Sequence, residues 1–224
     1  MAAPTSLNRP TGPQRRLTIV QVSLEPLLED AHRRGCTLND LVLAAVTGAI
    51  TAVLRRRGEQ PGELVVSVPI SARRAATADH LGNQTGVVPL AIPTLSDRFA
   101  RLERITALST ARRGGRRGTS AGPMGLVFRA LGALGLFQVF IDHQRLVHTF
   151  VTNVRGPEAA VHFAGQRISR VIPAAVTPGN IGVCFDILSY AGGLVVTVVA
   201  DPDLVPEQDQ LTSLLVEEFT GLLA

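Results

Sequence analysis

The stretch TLNDLVLAAVTGAITAVLRRRG, residues 37–58, decides the fold. Leu38, Leu41, Val42, Ala45, Ala49, Ala52 and Val53 recur at the i, i+3, i+4, i+7 spacing that gathers apolar side chains on one face of a helix. Thr37 is suited to cap the first turn, and Asp40, three residues on, completes the pattern of a capping box. Arg55, Arg56 and Arg57 suit the negative end of the helix dipole, and Gly58 stops the run.

Outward from this helix, the chain alternates between the two secondary-structure periods. Upstream, residues 17–22 (LTIVQV) read as a strand and residues 27–34 as a short helix broken at Gly35. Downstream, residues 64–70 (LVVSVPI) read as a strand in which Pro69 marks an edge or a bulge. A polar loop at 71–82 and a second strand at 85–92 follow. Ser96 is the expected cap of a helix through Phe99, Leu102, Ile105 and Leu108, which the Arg-Gly run 112–118 ends in a linker. An apolar segment at 124–141 precedes a strand at 150–154 and the turn Arg155-Gly156-Pro157. Val183, Phe185 and Ile187 alternate with Cys184, Asp186 and Leu188 in a strand reaching Tyr190, and residues 191–193 turn the chain into the strand 194–200 (LVVTVVA). Pro206 opens a last amphipathic helix with Leu211, Leu214, Leu215 and Phe219. Strands and helices alternate without strict βαβ order, so the expected fold is α/β, a mixed-sheet α/β sandwich over residues 17–224, with residues 1–16 a disordered polar tail.

Composition bounds the function. At 224 residues and 46% hydrophobic, the chain can bury a sizeable core, which excludes disorder along its whole length. Two cysteines are too few for a disulfide framework and read as thiols of a reducing compartment. No stretch of about 18 uncharged apolar residues predicts a spanning helix, and the N-terminus has no apolar signal core, so the expectation is a cytoplasmic protein. All 22 basic residues are Arg, which reads as the codon bias of a GC-rich genome. Their distribution is polarised: residues 97–129 carry a net +6 and residues 171–224 a net −7. Such a chain can neutralise itself internally or offer a basic face to acidic partners or membranes. Aromatics are 4% and Trp is absent, so the interleaved base-stacking surface of a nucleic-acid binder is not expected.

No catalytic constellation emerges from spacing. Gly118-Thr119-Ser120-Ala121-Gly122 matches GxSxG, but an Arg-Gly run precedes it where a nucleophile elbow needs a core strand. His143 and His148 are five apart and would diverge on a helix, so neither they nor Asp142 form an expected metal site. Cys36 precedes a helix start that would favour its thiolate, but its apolar surroundings favour an inert thiol. No phosphate- or dinucleotide-binding glycine motif is present.

Four segments together resemble a known family. Residues 37–46 (TLNDLVLAAV) are similar to the NDxVLAAV helix of bacterial wax ester synthase/diacylglycerol acyltransferases (WS/DGAT). Residues 68–73 (VPISAR), followed by Gly82-Asn83, resemble that family's PVSxR…GN segment. Residues 151–157 (VTNVRGP) resemble its TNVPGP turn, with Arg155 in place of proline, and Ser189-Tyr190-Ala191-Gly192 with Val199-Ala200-Asp201 resembles its closing SYxG…AD hairpin. The match is to the C-terminal half of the family.

The resemblance implies one lobe of the two-lobed, CoA-dependent acyltransferase fold shared with condensation domains. It implies an O-acyltransferase making wax esters or triacylglycerol from acyl-CoA and a long-chain alcohol or diacylglycerol, with acyl-CoA a substrate and no cofactor. The family's general base is the histidine of an HHxxxDG motif on the N-terminal lobe. This chain has no His-His pair; His32, His80, His143, His148 and His162 stand alone, so it contributes no expected catalytic residue. The implied partners are an N-terminal lobe or a second copy, with acyl-CoA and a lipid acceptor, and no nucleic acid. Asn39, Asp40, Asn83, Asn153 and Tyr190 become candidates for the substrate channel or lobe interface. Asp40 and Asn39 equally suit local capping, and Tyr190 and Asp201 suit hairpin and turn work. Arg112, Arg113, Arg116 and Arg117, ahead of the apolar run to Ile141, are candidates for contact with an anionic membrane, which would place the protein at the inner membrane or a lipid-body surface. A non-catalytic lipid- or partner-binding protein derived from the same lobe is the alternative.

Overall fold

A computed structural model describes residues 2–71, 85–114 and 131–224. Eight strands and five helices are resolved among them: β1 (Arg16–Ser23), α1 (Leu24–Arg33), α2 (Leu38–Arg56), β2 (Glu63–Ser71), β3 (Thr85–Pro93), α3 (Arg98–Gly114), α4 (Phe137–Asp142), β4 (Thr149–Arg155), β5 (His162–Phe163), β6 (Gln166–Arg167), β7 (Val183–Tyr190), β8 (Gly193–Ala200) and α5 (Gln208–Leu222). Six strands form one sheet in the order β1-β8-β7-β4-β2-β3. β4 lies parallel to both β7 and β2, and the remaining pairs are antiparallel, so the sheet is mixed as expected.

One face of the sheet carries the helices. Val66, Val151, Phe185, Ile187 and Val196 share a single apolar cluster with Leu43, Val46 and Ile50 of α2, Ile105 of α3 and Leu215 of α5. Each such side chain, fully withdrawn from water, contributes about 1.5–3 kcal/mol relative to exposure. The helix read as amphipathic is buried nearly all round, from Asp40 to Leu54. It is long and apolar enough to cross a membrane, yet here it is the core helix between the sheet and the outer helices. The capping box forms as expected: the Thr37 hydroxyl accepts from the Asp40 N–H at 3.2 Å, and Asp40 Oδ2 accepts from the Thr37 N–H at 3.0 Å.

Several local expectations are corrected. Residues 2–12, read as a disordered tail, pack onto the domain. Leu7 and Ala2 are buried, the Gly182 N–H donates to Leu7 O at 2.9 Å, Asn8 Nδ2 donates to His148 O at 3.0 Å, and the Gly12 N–H donates to Asp201 Oδ2 at 2.6 Å. Two apolar anchors and these hydrogen bonds together hold the segment on the domain. Asp97, not Ser96, caps α3, accepting from the Ala100 N–H at 2.7 Å, while Ser96 Oγ accepts from Arg55 at the end of α2. The helix also runs on through Arg112 and Arg113 to Gly114. Pro69 sits where β2 has left β4, whose pairing covers only Val66 and Ser67, so its missing N–H removes no bond on that side.

Candidate functional site

The C-terminal ends of β4 and β7 meet the N-terminus of α2, and the motif residues gather there. Val151 and Asn153 share the helix-facing side of β4. The Asn153 side chain accordingly reaches α2, where Nδ2 donates a long hydrogen bond of 3.5 Å to Asn39 Oδ1. Both amides are half-buried. Asp40 is fully buried beside them; Oδ2 is engaged by Thr37, and Oδ1 has no partner among the described residues. The structure therefore joins two of the four motifs, NDLVLAAV and TNVRGP, through one side-chain contact.

The turn after β4 explains its glycine. The Gly156 N–H donates to Ser189 O at 2.9 Å, and a Cβ at this position would lie 2.5 Å from that same carbonyl oxygen. Arg155, which replaces the usual proline, is exposed and pairs with Glu158.

Tyr190 lies on the opposite face of the sheet. Its hydroxyl donates to Ile168 O at 2.8 Å and accepts from the Val161 N–H at 2.9 Å, clasping the β5–β6 hairpin from both sides. It stands apart from Asn39 and Asn153, and its phenol is saturated. Asp201 is likewise engaged, holding Gly12, Asp203 and Leu204 backbone amides. Asn83, Arg116, Arg117 and the GxSxG run 118–122 lie outside the described residues. Arg112 projects from α3, with its guanidinium on Pro89 O.

Sequence reasoning passed over Asp186, a single acid in the apolar strand VCFDILSY. Buried on the face away from the helices, its Oδ1 accepts from Thr152 Oγ1 at 2.6 Å and its Oδ2 from the Ala175 N–H at 2.7 Å. It pins residues 168–178 as a strap across that face. The strap and hairpin expose apolar side chains: Phe163 is 76% and Val176 82% accessible, and Ile172 and Val161 are also exposed. An acid inside a β-branched run was the available signal.

The two cysteines are raised in pKa. Burial pushes the Cys184 thiol up to about 12. Burial, then the carboxylates of Asp40 and Asp30, raise Cys36 against the pull of a backbone hydrogen bond and the Arg34 guanidinium. Among the described residues no three His, Cys, Asp or Glu side chains converge to hold a metal.

Comparison with known proteins follows this geometry. Residues 81–222 match the WS/DGAT C-terminal domain. A Mycobacterium tuberculosis protein named as a diacylglycerol O-acyltransferase is 30% identical over 234 residues, which cover 99% of this chain and 50% of the relative. A second M. tuberculosis protein of that name is 28% identical over 216 residues, 92% of this chain and 43% of the relative. The chain thus spans about half the length of the relatives it matches. Among solved structures, the wax ester synthase/diacylglycerol acyltransferase of Marinobacter aquaeolei VT8 superposes with a TM-score of 0.78 at 17% identity, over 99% of this chain and 51% of that one. The starter condensation domain of rhizomide synthetase superposes at 0.55 with 18% identity, over 100% of this chain and 47% of that one. These likenesses carry the fold.

Proposed function

The chain belongs to the wax ester synthase/diacylglycerol acyltransferase family, as its C-terminal domain, and on that premise we propose that it works as the second lobe of an acyl-CoA-dependent O-acyltransferase. The carrying observation is that it matches about half of each relative while holding no HHxxxDG motif of its own. The general base would then come from an N-terminal lobe, and this lobe would complete the channel for acyl-CoA and a long-chain alcohol or diacylglycerol. The chemistry needs no cofactor, since the thioester is already activated.

Two structural features support the division of labour. Asn39 and Asn153 are half-buried at one end of the sheet and could line the channel beside the N-terminus of α2. Phe163, Val176 and Ile172 stand exposed on the hairpin and strap, a surface suited to another lobe. We place the protein in the cytoplasm, peripheral at the inner membrane or a lipid-body surface, because the substrates and products of such a reaction partition into lipid.

The test is release of CoA from acyl-CoA in the presence of long-chain alcohol or diacylglycerol. The purified chain alone is expected to be silent, and addition of an HHxxxDG-bearing lobe is expected to bring turnover. Turnover by the chain alone, lost on replacing one of its five histidines, would overturn the assignment of the chemistry to the other lobe. Failure to bind or activate any such lobe would leave the non-catalytic binding protein as the better reading.

A further inference from the structure

Four aspartates are buried among the described residues, and three of them have both carboxylate oxygens engaged. Asp30 is held by Arg33 and Arg34, Asp186 by Thr152 and the Ala175 N–H, and Asp201 by the Gly12, Asp203 and Leu204 amides. Asp40 is the exception. Its Oδ2 serves the cap of α2, while Oδ1 has no partner among the described residues. A buried carboxylate oxygen without a donor is costly, so this one calls for a donor that the domain itself does not supply.

The groups beside it have spare capacity of both kinds. Asn39, its neighbour in the chain, accepts only the 3.5 Å bond from Asn153, and neither side chain makes another hydrogen bond among the described residues. Each amide carries a carbonyl oxygen and an NH2 group, so in either orientation the pair keeps free donors and free acceptors. Both are half-buried at the start of a 19-residue helix, whose first-turn N–H groups and dipole favour a carbonyl oxygen. A hydrocarbon chain leaves this set unused, and an ester answers only its donors. A secondary amide, with an N–H and a C=O fixed in one plane, answers both.

We propose that Asn39, Asn153 and Asp40 form an amide clamp that holds the pantetheine arm of acyl-CoA. This role rests on the acyl-CoA reading above. Long-chain alcohols, diacylglycerol and fatty acyl chains carry no N–H, whereas the arm of CoA that leads to the sulfur carries secondary amides. The C=O of the arm accepts from the asparagine NH2 groups, and its N–H donates to an asparagine oxygen or to Asp40 Oδ1. Because Oδ1 is shut off from water, the long Asn39–Asn153 bond is the contact that gives way to admit the ligand. The clamp thereby sets how far the thioester reaches along the channel, and it separates the donor arm from a lipid acceptor.

Titrating pantetheine into the isotope-labelled chain reads the clamp by nuclear magnetic resonance, without turnover. The side-chain NH2 resonances of Asn39 and Asn153 should shift, and an analogue with esters in place of the amides should leave them still. Asp40→Asn keeps an oxygen for the Thr37 N–H, so circular dichroism should not change, while binding should weaken about tenfold. Asn153→Ala, away from the helix cap, should weaken binding to a similar degree. In the complex with an HHxxxDG-bearing lobe, kcat/KM for acyl-CoA is compared with that for the same acyl group on a simple alkanethiol. The ratio of the two should fall about tenfold in Asn39→Ala and in Asn153→Ala, mainly through KM. A purely structural role would lower both substrates together. No shift with pantetheine, an equal shift with the ester analogue, or an unchanged ratio overturns the clamp and leaves the acyltransferase reading untouched. Pantetheine-specific shifts without turnover in any complex would instead overturn that reading and leave the amide site standing.

Discussion

A few buried polar side chains do more to define this domain than their neighbours, and His148 shows why. Its Nδ1 accepts from the Val65 N–H at 2.8 Å, its Nε2 meets Ala3 O at 2.6 Å, and its own N–H donates to Val65 O at 2.7 Å. The imidazole thus extends the β2–β4 pairing by a side chain and fastens the N-terminal segment at once. Only the neutral Nε2–H tautomer satisfies both partners, because protonating Nδ1 would aim a donor at a donor. Burial lowers the pKa of the ring, outweighing the hydrogen bonds to Ala3 and Val65. The unfolded chain therefore takes up this proton more readily than the folded one. The stabilising contribution is complete above the ordinary histidine value of about 6.5 and is lost as pH falls through and below it. Urea unfolding from pH about 7 down to about 5 should show declining stability. His148→Gln, which keeps a donor and an acceptor but cannot charge, should flatten that decline. An equal slope in the variant would show that other groups carry it.

At the scale of elements, the three-helix junction over the sheet rests on Gly48. Arg101 of α3 is buried, donates to Ala44 O of α2 at 2.9 Å and pairs with Glu218 of α5. A Cβ on Gly48 would strike the Arg101 guanidinium and come within 2.6 Å of Glu218 Cδ. In an open helix, Gly→Ala stabilises by about 1 kcal/mol. Here Gly48→Ala should instead destabilise by about 1–3 kcal/mol, the cost of overpacking, read as a lower urea midpoint at unchanged slope. The same junction realises the internal neutralisation that the polarised charge pattern allowed, since the basic third helix meets the acidic last one at Arg101 and Glu218. What was legible follows from periodicity. The long helix and its cap, the strand 183–190 and the tight turn at Ala191-Gly192 are set by local spacing, and they stand within a residue or two of expectation. The packing of Leu7, the strap held by Asp186 and the clasp at Tyr190 were not legible, because each depends on a partner more than ten residues away that no local pattern announces. The candidate site was half legible. The contact between Asn39 and Asn153 sits where two motifs converge, whereas Tyr190, drawn into the same set by motif, faces the other way.

For the whole molecule, the open question is what the exposed apolar surface meets. Part of the apolar run expected at 124–141 is described, and it is not in the core. Leu134 is 70% and Val139 59% accessible, Leu136 and Phe137 are also exposed, and α4 buries no residue. Apolar side chains presented together on a short helix suit the interfacial zone of a lipid layer. The arginines expected to assist are not all free: Arg112 spends its guanidinium on Pro89 O, so the apolar patch should carry most of the contact. The protein is therefore expected to sediment with anionic liposomes at low salt and to be only partly released at high salt, since screening weakens charge but not apolar insertion. Leu134→Ser with Val139→Ser should remove sedimentation at both salt concentrations. Both side chains are largely in water, so the unfolding midpoint should not move. Complete release of the wild type by salt would assign the contact to arginine alone. Wild type and double variant both remaining in the supernatant would leave α4 as a surface for protein rather than lipid.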